Sequence, residues 1–152
     1  MLYNEAIETM PRPKLRDLQS ERLREQVAYV YDRVPFYRQK LDEAGLKPTD
    51  IRGIDDLTQL PFTHKTDLRD HYPFGLFAVD RPQIKRIHAS SGTTGKPTTV
   101  GYTAGDLEIF SEVVARSLVA GGARPGMMLQ NAYGYGLFTG GLGLHAVLKS
   151  WG

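Results

Sequence analysis

Cysteine is absent from the 152 residues. That absence removes disulfides, thiolate nucleophiles and cysteine-based zinc sites together, and it is compatible with a reducing cytoplasm. Also missing is any apolar run of about 18 residues, the length that crosses a bilayer. The opening MLYNEAIETMPRPK carries acidic residues and prolines where a secretory signal needs a basic start and an unbroken apolar stretch. Neither sign of charge dominates: 19 Lys and Arg stand against 17 Asp and Glu, a formal net charge of +2. Nucleic-acid binding wants basic residues gathered in a patch, whereas in PRPKLRDLQSERLREQ they alternate with acidic ones, the pattern of a solvated helix face. A soluble, cytoplasmic protein with no membrane and no nucleic-acid partner is expected. Repeats and low-complexity tracts are absent too, and the length is that of about one domain.

The first half reads as helical. From Lys14, the residues Leu15, Leu18, Leu23, Val27, Val30 and Val34 recur mostly at three- and four-residue steps, and Pro35 should end that helix near Val34. A shorter helix carries Phe36, Tyr37 and Leu41 to Gly45, a natural left-handed C-cap. Two brief helices follow, with Asp55 and Thr63 as N-caps and Pro61 and Pro73 as stops. The chain then changes character. QIKRIHA and TTVGYT favour strands, Thr103 with Asp106 caps a helix, and Leu107, Phe110, Val113, Val114, Ser117 and Leu118 follow helical spacing until AGGARPG ends it. MMLQNA reads as a buried strand, and GLFTGGLGLHAVLKSW as a glycine-rich turn entering a helix. The fold class is therefore α/β: a helix-rich N-terminal lead, residues 1–80, then strand-loop-strand and βα units in residues 81–152, an incomplete α/β portion.

Between the two strand segments lies HASSGTTGKPTTVGYT, dense in hydroxyls and glycines. Glycines let backbone N–H groups converge on one anion, hydroxyls add rotatable donors, and a lysine adds a mobile positive charge. Ser90, Ser91, Gly92, Thr93, Thr94, Gly95 and Lys96 are thus the chemical types that hold nucleotide phosphates. The run is not a Walker A loop, which needs a four-residue spacing between its glycines and Ser or Thr after the lysine. Here two residues separate Gly92 from Gly95, Pro97 follows Lys96, and a strand rather than a helix comes next. On chemistry alone a plain Ser/Thr/Gly turn stays open as the alternative.

SSGTTGKPTTVGYT resembles the phosphate-loop signature of the adenylate-forming acyl-CoA synthetase superfamily. With VPFYRQKL, LPFTHKTDLRDHYPFGLFAV and YGYGLFTGGLG, in that order along the chain, it is similar to the phenylacetate-CoA ligases. The resemblance implies part of the large N-terminal domain of such an enzyme. It implies ATP with Mg²⁺, coenzyme A as co-substrate, a small aryl acid such as phenylacetate, and the 90–96 loop holding the β- and γ-phosphates. The adenine and Mg²⁺ motifs, the ribose-binding aspartate, the hinge and the adenylation lysine of the family do not occur in this sequence. No catalytic residue is therefore expected here, the chain alone should be inactive, and a homodimer is compatible with the family. A stand-alone phosphate- or nucleotide-binding module, or part of a ligase for another aryl acid, are the alternatives.

AYGYGLFTGGLGLH is the second informative segment. Tyr133, Tyr135 and Phe138 offer flat faces with glycines beside them, which by themselves read as core packing. The resemblance instead makes them walls of the aryl pocket. His64, His71, His88 and His145 share no metal-ligand spacing, so surface or hydrogen-bonded roles are expected and no metal site; His88 stands out only for lying just before the loop.

Overall fold

The computed structural model describes residues 1–90, 97–136 and 140–144. The chain divides into two compact units, one of residues 10–80 and one that joins residues 1–9 to 81–152.

The 10–80 unit is built on two helices. Helix α2 runs Arg12–Arg33, two residues earlier than the apolar spacing predicts, because Pro13 fits a first turn whose N–H groups have no helical partner anyway. Val34 is extended, as the residue before a proline prefers to be, and Pro35 opens α3, Pro35–Glu43. The end of α3 is the expected one. Gly45 takes φ +69°, its N–H donates to the Asp42 carbonyl, and the Leu46 N–H donates to the Leu41 carbonyl at 2.9 Å. That turn folds Leu46 back beside Leu41, into a core of Val27, Leu41 and Ile51 on which Leu23, Tyr31 and Leu60 also pack.

Beyond the core, a 3₁₀ turn at Ile54–Gln59 and helix α4, Lys65–Asp70, replace the two brief helices expected there. Their caps are Gly53 and His64 rather than Asp55 and Thr63. The reason is local competition for hydrogen bonds. Asp55 pairs with Arg16 and the Thr63 hydroxyl donates to the Tyr37 hydroxyl. The orphan N–H groups are instead taken by carboxylates three residues into each turn, Asp56 for Gly53 and Asp67 for His64. Asp67 also receives the Lys40 ammonium at 2.7 Å, with both side chains mostly covered.

The other unit carries the strands. Helix α1, Glu5–Glu8, is a single turn that the sequence reading did not foresee; Asn4 caps it by accepting from the Ile7 N–H. Asn4 also donates to Glu112 at 2.7 Å, and Glu8 pairs with Arg116. Both partners lie on α5, Ala104–Ala120, so a short terminal turn is anchored by a distant helix. Strands β1, Arg86–Ala89, and β2, Thr99–Tyr102, pair antiparallel with His88 opposite Val100. Thr103 starts α5 through a complete capping box: its hydroxyl accepts from the Asp106 N–H, and the Asp106 carboxylate accepts from the Thr103 N–H at 2.8 Å. The buried face of α5 carries Ala115 and Val119, while Val113 of the expected stripe is half exposed.

The predicted strand over MMLQNA does not form. Residues 127–132 have no regular structure, and Met127 and Met128 are exposed. A buried strand needs a neighbour to take its N–H and C=O groups, and among the described residues this segment joins neither open edge of the β1–β2 sheet. The α/β class nonetheless holds, as a helix-rich chain with a small two-stranded sheet.

The Asp67 carboxyl lies below its usual 3.8, first because it accepts the His64 N–H and then because of Lys40. A depressed folded-state value stabilises the fold above the unfolded value, and that contribution is lost as pH falls through the lower one. Asp67→Asn should therefore lower the melting temperature at pH 7, with the gap to the parent chain closing below about pH 3.8. Thermal melts of both chains between about pH 2 and 7 check this; a gap constant with pH would contradict it.

Candidate functional site

The hydroxyl and glycine run is delivered by the β1–β2 hairpin. Antiparallel pairing fixes the two ends of the connection opposite each other, and the last described contacts before it are mutual. The Ser90 N–H donates to the Thr98 carbonyl at 3.0 Å, and the Ser90 hydroxyl accepts from the Thr98 N–H at 3.0 Å. Ser90 is exposed at the mouth of the hairpin. Ser91, Gly92, Thr93, Thr94, Gly95 and Lys96 lie outside the described residues.

The hairpin is seated by aromatic packing. His88 and Tyr102 are diagonal neighbours on one face, with rings edge-on at 5.3 Å and 86°. Tyr102 packs in the same manner on Phe110 of α5, at 5.8 Å and 66°. Phe110 in turn occupies the space over Gly143, where an added Cβ would lie 2.4 Å from its Cε1. A larger residue at 143 would push the ring off Tyr102. His88, expected on the surface or hydrogen-bonded, is not on the surface: it is 2% exposed, and its Nδ1 has no partner among the described residues.

The aromatic and glycine segment approaches the same hairpin. Residues 140–144 are helical, and the Arg86 guanidinium of β1 donates to the Leu142 carbonyl at 3.3 Å. Asn131 organises the preceding stretch. Its amide donates to the Gly141 carbonyl at 3.0 Å and to the Tyr135 hydroxyl, and its carbonyl oxygen accepts from the Tyr133 N–H. The Tyr133 ring rests on Gly140, and the Gly134 carbonyl sits 2.5 Å from where a Cβ on Gly141 would be. Backbone approach therefore requires glycine at 141, whereas a residue at 140 would meet only the Tyr133 side chain.

Tyr133 and Tyr135 are 70% and 57% exposed, and Phe138 lies outside the described residues. Ser90 and the aromatic segment thus belong to one unit, joined through Arg86 and through Phe110. Arg86, Asn131 and Phe110 were not singled out from the sequence, since an Arg in a strand, an Asn in a loop and a Phe on a helix stripe carry no signal of their own. Two clefts open elsewhere: about 820 Å³ between Tyr3, Asn4, Leu107 and Ser111, and about 470 Å³ among Leu23, Val30, Tyr37 and Leu60. Ser90, Tyr133 and Tyr135 line neither.

Among the described residues, no group of three or more His, Asp or Glu is arranged to hold a metal ion, so no residue is assigned to Mg²⁺. Nor is any described helix long and apolar enough to cross a membrane.

No family model matches the chain. Against individual proteins it is 69% identical over all 152 residues to a phenylacetate-coenzyme A ligase of Thermus thermophilus, of which it covers 34%. It is 55% identical over 141 residues to the phenylacetate-coenzyme A ligase of Aromatoleum evansii and 54% over 139 to that of Escherichia coli, covering 32% of each. The chain thus spans about a third of the length of the curated relatives it matches. Among solved structures it superposes on a 2-hydroxyisobutyryl-CoA ligase in complex with 2-HIB-AMP and CoA in the thioesterification state. The TM-score is 0.89 at 31% identity, over 99% of this chain and 33% of that one. A second structure of that ligase, in the postadenylation state with 2-HIB-AMP, gives 0.83 at 30% identity over 93% of this chain. Matched from end to end by ligases three times its length, the chain belongs to the phenylacetate-CoA ligase family, and the match fits an N-terminal portion of such an adenylate-forming enzyme.

Proposed function

We propose that this chain is the part of an acid–thiol ligase that holds the outer phosphates of ATP and one side of the aryl-acid slot. The observation that carries the reading is the 69% identity over the entire chain to a phenylacetate-coenzyme A ligase. It is supported by the hairpin that frames the hydroxyl, glycine and lysine run. In the reaction an oxygen of the aryl carboxylate attacks the α-phosphorus of ATP. The bond to the β-phosphate bridge breaks, giving an acyl-adenylate and pyrophosphate. The thiol of coenzyme A then attacks the acyl carbon, losing its proton, and AMP leaves with the bonding electrons. The thioester is the product.

Within this scheme the residues of the chain position and neutralise rather than form bonds. Ser90 and Ser91 supply hydroxyl donors, Thr93 and Thr94 further ones. Gly92 and Gly95 leave the backbone N–H groups open to the β- and γ-phosphates, and Lys96 offsets the charge that grows on departing pyrophosphate. Mg²⁺ bound to the triphosphate would add a Lewis acid there when present. Tyr133, Tyr135 and Phe138 form walls for a flat ring, with phenylacetate as the acid. Exposed tyrosines suit this role when the remainder of the ligase closes the other side of the slot. The adenylate in the 2-hydroxyisobutyryl-CoA ligase complexes supports the two-step order. A cytoplasmic enzyme acting on a small acid, with no nucleic-acid or membrane partner and able to pair as a homodimer, completes the reading.

Two outcomes are expected. In the full-length ligase, Lys96→Ala should raise the KM for ATP roughly tenfold, the loss of one charge-assisted contact. Gly95→Val should be worse, because a β-branched side chain obstructs both the loop conformation and the approach of phosphate to the backbone. Steady-state AMP release with ATP varied measures both; unchanged constants in both variants would refute the phosphate assignment. The isolated 152-residue chain, given phenylacetate, ATP, Mg²⁺ and coenzyme A, should release no AMP above background. Robust turnover by the chain alone would show that it contains the whole catalytic machinery.

A further inference from the structure

The stretch that carries Tyr133 and Tyr135 has neither helix nor strand to shape it. Chain of that kind satisfies its polar groups through side chains, and here a single side chain serves three of them. Asn131 is partly buried. Its Oδ1 accepts the Tyr133 N–H at 3.2 Å, and its Nδ2 donates to the Gly141 carbonyl at 3.0 Å and to the Tyr135 hydroxyl at 3.3 Å. Acceptor and donor ends of the amide are thus both in use.

These partners make the amide act on the two rings rather than on a core. Tyr133 and Tyr135 are 70% and 57% exposed, so little packing fixes their direction. Tyr133 is held at its own backbone, with its ring against Gly140, and Tyr135 is held at the far end of its side chain. The bond to Gly141 joins both to the helical turn at 140–144, where the carbonyl of Gly134, the residue between the two tyrosines, also meets Gly141. The donor is what makes asparagine specific here. Aspartate has the same shape and could take the Tyr133 N–H, but it would set a carboxylate oxygen against the Gly141 carbonyl, two acceptors with no proton between them.

We propose that Asn131 is a positioning residue for the acid, holding Tyr133 and Tyr135 so that the slot takes a flat ring and turns away a puckered one. The proposal rests on the reading of those tyrosines as walls of the aryl slot. Asn131 acts through them and forms no bond to the reacting atoms. Rings already in place lose less freedom when the acid binds, and walls held at a fixed angle discriminate by shape.

Cyclohexylacetate has the carbon skeleton of phenylacetate with a puckered ring in place of the flat one, which makes it the matched probe. Steady-state AMP release by the full-length ligase is measured with each acid and with ATP varied in turn. Asn131→Asp should lower the kcat/KM ratio of phenylacetate over cyclohexylacetate roughly tenfold, two rings being set loose, and leave the KM for ATP within about twofold of the parent. The added negative charge repels both carboxylates equally and so cancels in that ratio. A ratio within about twofold of the parent overturns the proposal, as does a KM for ATP raised as far as that for phenylacetate. Tyr135→Phe keeps the ring and removes only the hydroxyl that the amide holds. It should lower the ratio roughly three- to fivefold, the loss of one net hydrogen bond. An unchanged ratio in that variant also overturns the proposal, and it decides the matter should Asn131→Asp fail to fold. Tyr133→Ala separates the layers. If it changes neither the ratio nor the KM for phenylacetate, the wall reading fails and this proposal with it; if it changes them while Asn131→Asp does not, only the role of Asn131 fails.

Discussion

The contact on which the candidate site depends is the edge-to-face packing of Tyr102 on Phe110. Antiparallel pairing of β1 with β2 sets which residues face each other, but a two-stranded hairpin is marginal by itself and needs a surface to sit on. That surface is α5. Its start is fixed one residue after β2 by the Thr103–Asp106 capping box, so Phe110 falls about two turns along, on the side facing back to the strands. His88 extends the same packing across the hairpin, and Gly143 accommodates its other end. One line of rings thus connects the strand leading into the hydroxyl and glycine run with the helical turn that follows the aromatic segment.

Around that line the polar contacts set direction rather than hold the structure up. Arg86 reaches the Leu142 carbonyl, and Asn131 ties Gly141 to the stretch bearing Tyr133 and Tyr135. Each is a single bond of ordinary strength, worth about 1 kcal/mol net. Together they hold the stretch bearing Tyr133 and Tyr135 against the 140–144 turn, where the Gly134 carbonyl comes too close to residue 141 for any side chain there. The 10–80 unit is organised differently. It closes a small apolar core of its own around Val27, Leu41 and Ile51, with the Schellman turn at Gly45 bringing Leu46 into it.

Much of this is legible in the sequence, where the signal is local. Pro35, Gly45 and Thr103 act through backbone geometry within a few residues, and each stops or starts a helix where expected. β-branched residues on either side of the hydroxyl run marked the hairpin. What sequence could not show depends on distant partners. Asp55 offers a cap to its own turn, but Arg16 takes it; His64 becomes the N-cap because Asp67 accepts its N–H. MMLQNA has the composition of a strand but joins neither β1 nor β2. The burial of His88 is the sharpest case, since nothing in HASSG distinguishes a histidine under a hairpin from one on its surface. The family was legible from motif order, with ligase relatives matching the chain throughout. The approach of Arg86 and Phe110 to the glycine segment was not, because it is tertiary.

The central claim is that the loop framed by this hairpin receives the outer phosphates of ATP. A crystal structure of the full-length ligase with a non-hydrolysable ATP analogue tests it most directly. The account predicts β- and γ-phosphate oxygens within about 3 Å of backbone N–H groups and hydroxyls in the Ser90–Lys96 run, with the Lys96 ammonium on the same oxygens. A triphosphate bound with its β- and γ-oxygens on other residues, and that run left without phosphate contacts, would contradict it.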